Sequence, residues 1–165
     1  MAEPLVSFRD PVTLADITLN KWEIGTILAG NAAPDKTFLI WNNFDGAPDI
    51  SDINDCDITT SDSVGDTSLV VADKWVETWC PSLGETDEDR VQTGGETNKH
   101  VIGAVIGGVV TAGTISGARL EANLGVPGTL ADVDNYAEVS LRVTVPLLAK
   151  GGLNQFKTRL SYTHI

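Results

Sequence analysis

Basic residues are scarce in this chain: Lys and Arg number 11 against 23 Asp and Glu, and the formal net charge is −12. Binding to nucleic acid needs clustered cations that displace counterions from phosphate. The few cations here are scattered, so no nucleic-acid partner is expected. The same repulsion argues against an anionic membrane surface. Excess acid instead aids solubility or steers the chain toward a basic partner. Long apolar runs are missing as well. The most apolar stretch extends only from Val101 to Ala112 and is broken by Gly103, Gly107 and Gly108, whereas a spanning helix needs roughly twenty apolar residues. Residues 1–20 lack both a basic start and an apolar centre, so no secretory signal is expected. The chain is read as made in the cytoplasm without a membrane anchor.

Histidine and cysteine are equally sparse, with two of each. Nucleophilic catalysis needs a Ser or Cys, a His base and an orienting acid. His164 is the second-last residue, where chains fray. His100 stands beside an acidic stretch and reads as a solvated or strand-edge residue. No G-x-S-x-G occurs, and no enzymatic activity is expected. Cys56 and Cys80 lie in separate predicted strands without neighbouring histidine, so they match no standard metal spacing. They read as two buried, reduced thiols. A disulfide between adjacent strands is the alternative if the protein leaves the cell. The Gly103, Gly107 and Gly108 cluster lacks the Lys of a phosphate loop and reads as bends or close backbone approaches within a sheet.

What the chain does have is strand periodicity. Ala137, Val139, Leu141, Val143 and Val145 alternate with Glu138, Ser140, Arg142 and Thr144. After a short turn the alternation resumes with Phe156, Thr158, Leu160 and Tyr162 against Lys157, Arg159 and Ser161. Side chains on a strand alternate between faces, so these are two half-buried antiparallel strands joined by a turn. Further strands are expected at Glu23–Leu28, Thr37–Asn42, Cys56–Thr60, Ser68–Ala72, Lys74–Cys80, Val101–Ile106 and Thr114–Leu124, the last interrupted by Gly117. Residues 81–99 read as a long polar loop, and 61–68 as a hairpin-type turn. No segment reads as a helix. Seven to nine short strands between turn signals predict an all-β fold, an antiparallel two-sheet β-sandwich; a β-barrel is the alternative. At 165 residues one domain is the default, with roughly 70% of the unfolded surface buried. Residues 36–165 form that domain. Residues 1–35, with Pro4, Pro11 and Pro34, read as an N-terminal arm or edge segment, and deleting residues 1–15 is expected to spare the fold and weaken assembly.

Acidic loops and tryptophans are the remaining candidates. Asp52, Asp55 and Asp57, and Glu85, Asp87, Glu88 and Asp89, supply oxygens of the kind Ca²⁺ prefers, but no EF-hand pattern is present. Solvated surface is the simpler reading, and no metal or cofactor is expected. Trp75 and Trp79 share a parity and are expected in the core. Trp22, Trp41, Asp87, Glu88 and Asp89 are the candidate interaction residues.

Several strand motifs carry a resemblance. Ile40, Trp41, Asn42 and Asn43 are followed by Asp55, Cys56, Asp57, Ile58 and Thr59, and then by Trp75 and Val76. The chain closes with Val139, Leu141, Val143, Val145, Pro146, Gly151, Phe156, Leu160, Ser161 and Tyr162. In this order, over about two-thirds of the chain, they resemble a module of tailed-bacteriophage virion proteins. The resemblance implies a β-sandwich without enzymatic activity that assembles in a virion. Its expected partners are further copies of itself, as a homo-oligomer, and other virion proteins, with tail or baseplate favoured over capsid decoration. A different reading, from the tryptophans and Asp-rich loops, is a glycan-binding module for host attachment. It requires an exposed aromatic shelf beside carboxylates.

Overall fold

The computed structural model describes residues 2–44, 48–119 and 133–165. Its strands, in chain order, are β1 (Val6–Arg9), β2 (Lys36–Asn42), β3 (Asn54–Ser61), β4 (Val76–Trp79), β5 (Val91–Thr93), β6 (His100–Val101), β7 (Gly103–Ile106), β8 (Val109–Ala112), β9 (Tyr136–Val143) and β10 (Lys157–Thr163). They form a five-stranded sheet ordered β1-β2-β9-β4-β5, a three-stranded sheet ordered β10-β3-β6, and the β7-β8 hairpin. Every named pairing is antiparallel. The fold is all-β and sandwich-like, with no closed barrel.

Alternation explains how the layers meet. Phe38 and Ile40 of β2 join Ala137, Val139, Leu141 and Val143 of β9 in one core cluster. Cys56 and Ile58 of β3 enter it from the other sheet, with Ile102, Ala104 and Ile115. The opposite face of the large sheet is also buried. Leu39 and Trp41 of β2 pack with Tyr136 and Leu14 in a second cluster. A strand covered on both sides shows no polar alternation, which is why Thr37–Asn42 reads as an unbroken apolar run.

Leu14 makes that second cluster possible. Its backbone is left-handed, with φ 59°, a conformation that costs a side-chain-bearing residue roughly 1–2 kcal/mol. Burying a leucine contributes roughly 1.5–3 kcal/mol, and Leu14 is only 3% exposed. Asp10 shapes the turn beneath it. Its carboxylate accepts the Val12 and Thr13 amides at 2.9 and 2.8 Å, and its carbonyl accepts the Leu14 amide. Those amides, with the Thr13 hydroxyl, hold the Asp10 carboxyl below its ordinary range.

Residues 2–35 are therefore bound to the body. β1 is an edge strand of the large sheet. Farther along, Ala33 donates to the Val143 carbonyl and Gly30 to that of Val145. Trp22, Ile24 and Ile27 pack against the main core. No strand forms at Glu23–Leu28.

Other expectations are also corrected. Ser68–Ala72 is not a strand; Leu69–Ala72 is one turn of helix, α1. Val70 and Val71 are both buried. A strand would send these neighbours to opposite faces, whereas a helical turn turns both inward. The 81–99 stretch contains a 3₁₀ turn at Pro81–Leu83 and the strand β5. Thr93 of β5 is fully buried and its hydroxyl meets that of Thr78 at 2.9 Å, so two polar residues satisfy each other inside the sheet. Val101–Ile106 breaks at Ile102 into β6 and β7. A Cβ on Gly103 would strike the Thr111 carbonyl oxygen, so the close approach of β8 requires glycine there. Gly107 and Gly108, at φ 58° and 80°, form the two-residue hairpin tip. Within Thr114–Leu124, Ile115 pairs with Ile53 as an isolated bridge, and residues 120–124 lie outside the described residues.

The last correction is the largest. β9 and β10 do not pair. β9 lies between β2 and β4 in the large sheet, while β10 pairs only with β3 in the small one.

Candidate interaction surface

Chemical groups are first accounted for by the fold itself. His100 Nε2 lies 2.7 Å from Glu85 Oε2. The same carboxylate oxygen accepts the Cys80 amide at 2.7 Å, so the pair ties β6 to the loop after β4. Among the described residues no Ser, Thr or Cys side chain bonds to His100. The nearby Ser82 hydroxyl donates to the Gly103 carbonyl at 2.6 Å and accepts the Glu138 amide at 3.0 Å. Both thiols are free and buried. Burial first, then the Asp57 and Asp55 charges, push the Cys56 thiol up to about 12. Burial also raises Cys80. Neither forms a useful thiolate near neutral pH.

The carboxylates are engaged in the same way. Asp62 accepts the amides of Val64, Asp66 and Ser68, each at 2.8 Å. The Ser68 hydroxyl beside it, and then those amides, hold its carboxyl down at about 2. Asp49 and Asp52 flank a shallow hollow of about 420 Å³, but their Oδ1 atoms accept the Arg119 and Gly117 amides at 2.7 Å. No group of three His, Cys, Asp or Glu side chains among the described residues is placed to hold a metal ion.

The five candidate interaction residues separate. Asp87, Glu88 and Asp89 lie together on one exposed turn. Asp89 accepts the Thr86 amide at 2.8 Å, and Asp87 lies 3.4 Å from the Arg142 guanidinium. The Glu88 carboxylate has no partner among the described residues. Trp22 is half-buried, edge-on to Phe156 with ring centroids 6.3 Å apart. Trp41, at 1% exposure, is sealed between Phe44 and Tyr136 and offers this chain no docking surface. Trp75 and Trp79 are buried, the latter 5.7 Å beneath the Arg142 guanidinium. No tryptophan is exposed, so no aromatic shelf forms.

Sheet edges differ sharply. Beside β1 the Thr18 hydroxyl accepts the Phe8 amide at 2.9 Å, and the Ile17 amide donates to the Phe8 carbonyl at 2.8 Å. That edge is closed by its own chain. β10 pairs with β3 along one side; along its other side it forms no backbone hydrogen bond among the described residues. An open edge of this kind is a template for another chain. The connection leading into it exposes Leu147 by 76%, Leu148 by 92% and Leu153 by 89%. Lys150 and Lys157 are exposed too, with no ion-pair partner among the described residues.

Sequence reasoning missed this surface, although a signal was present. All 23 acidic residues lie at or before Glu138, while Arg142, Lys150, Lys157 and Arg159 follow it. Arg142 is neutralised by Asp35 at 2.7 Å and Arg159 by Glu96 at 2.8 Å, which leaves the two lysines. Charge segregation together with the unpatterned leucines in "PLLAKGGL" would have marked the segment. No family model, curated protein or solved structure matches the chain. No helix among the described residues is long and apolar enough to cross a membrane.

Proposed function

We propose that the chain is a non-enzymatic structural subunit of a tailed-phage particle. It is made in the host cytoplasm and resides in the virion, where it associates with copies of itself and docks on other virion proteins. A place in the tail or baseplate is favoured over capsid decoration. One observation carries the reading: the body closes its β1 edge with its own chain, yet among the described residues leaves the β10 edge open beside three exposed leucines. Such a surface serves association and contributes nothing to chemistry. The strand motifs that resemble the virion module support the same reading, since Ile40, Cys56, Ile58, Val76, Val139, Leu141 and Val143 all sit in the main core. The glycan-binding reading loses its support with Trp41, Trp75 and Trp79 buried and Trp22 half-buried against Phe156.

Peptide mass spectrometry on density-purified particles of the encoding phage tests the proposal. The chain is expected in the particle at many copies. Its presence in lysate and absence from particles would end the structural reading.

A further inference from the structure

Resting on that structural reading, we infer that the C-terminal surface, residues 146–157 with the open β10 edge, docks head-to-tail on the acidic turn Asp87–Asp89 of a second copy. The two surfaces are complementary in charge. Lys150 and Lys157 are exposed, with no ion-pair partner among the described residues. Glu88 is exposed beside Asp87 and Asp89, and its carboxylate has no partner among the described residues. A contact with another basic surface would carry a like-charge cost that opposes association. Pairing a basic surface with an acidic one avoids that cost.

Their placement also suits repetition. Tyr162, near the end of β10, shares a hollow with Leu5 and Val6 at the β1 edge of the large sheet. The acidic turn leads into β5, which forms the other edge of that sheet. A contact joining two different patches is heterologous and builds rings or open filaments. Leu147, Leu148 and Leu153 supply the apolar area that charges alone lack, and the lysines set orientation and salt dependence.

Two charge-reversed proteins test this by light scattering coupled to gel filtration, at about 50 mM and 500 mM salt. Wild-type chain is expected to form oligomers that shrink at high salt. Lys150→Glu with Lys157→Glu, and separately Asp87→Lys with Glu88→Lys, are each expected to be monomeric with wild-type circular dichroism. Mixing the two variants is expected to restore assembly, because each supplies the surface the other lacks. Leu147→Ser with Leu148→Ser is expected to weaken oligomers at both salt concentrations. Either reversed variant assembling alone, a mixture that stays monomeric, or a salt-insensitive wild-type dimer would overturn the inference. So would a wild-type chain monomeric at every concentration; its recovery from particles would then leave the structural reading standing.

Discussion

β9 and β10 carry the same alternating pattern and meet opposite fates. β9 has neighbours on both sides, and Ala137, Val139, Leu141 and Val143 on one face are all buried. Its polar face is enclosed as well: Ser140 bonds the Thr37 hydroxyl at 2.7 Å, and Arg142 holds Asp35 through two nitrogens at 2.7 and 2.9 Å. β10 has one neighbour and no fully buried residue. Alternation reports that a strand has an inner face. It does not report how many strands flank it, because flanking bonds are made by the backbone, which every residue shares.

The largest test of this contrast replaces equivalent inward leucines. Leu141→Asp places an unpaired charge in a site 1% exposed and is expected to cost more than about 4 kcal/mol, leaving no folded protein. Leu160→Asp, at a half-buried edge position, is expected to cost about 2 kcal/mol or less and to keep a cooperative transition. Urea denaturation measures both. Equal losses would erase the distinction between the strands.

Deleting residues 1–15 comes next. This removes β1 and the Leu14 plug over Leu39 and Trp41. Losing a buried leucine alone costs about 2–5 kcal/mol, so the melting temperature is expected to fall by many degrees. An unchanged melting point would restore these residues to the status of a detachable arm.

Ion pairs sharpen the comparison at lower amplitude. Double-mutant cycles are expected to give about 0.5–1 kcal/mol for Arg142 with Asp35, and less for Arg159 with Glu96, whose side chain is 69% exposed. A stronger β10 pair would mean that the edge strand is held more firmly than its burial implies.

The smallest effect concerns Asp62, which follows the end of β3, the strand paired with β10. Its folded carboxyl titrates at about 2 against an ordinary 3.8. A depressed folded value means that the ionised form stabilises the fold. That contribution is complete above about pH 4 and is lost as pH falls through about pH 2. Asp62→Asn is expected to flatten the acid limb of stability in that window, read as the melting temperature against pH. An unchanged limb would show that the bonds to Val64, Asp66 and Ser68 are not maintained in solution.

Much of the layering was legible in the sequence. The parity of 137–143 assigned the inner face of β9, and the apolar run at 37–42 marked β2. Strand partners were not legible, and proximity in sequence suggested a β9-β10 hairpin that does not form. α1 was hidden by its β-branched valines, whose preference for strands yields to the need to bury both. β5 was hidden because Thr93 is a buried polar residue, satisfied by Thr78, fifteen residues earlier in the chain. The interaction residues proposed from sequence were chosen for size and charge. Trp41 was then taken by the second core, while Lys150 and Lys157 drew no attention because isolated lysines are ordinary surface residues.

The central place of β9 has a temporal consequence. Both of its neighbours, β2 and β4, emerge from the ribosome well before it does, and neither can find its inner partner until residues 136–143 have been synthesised. Such distant pairing slows folding, because a long loop must close first. A prematurely terminated polypeptide therefore never completes the large sheet.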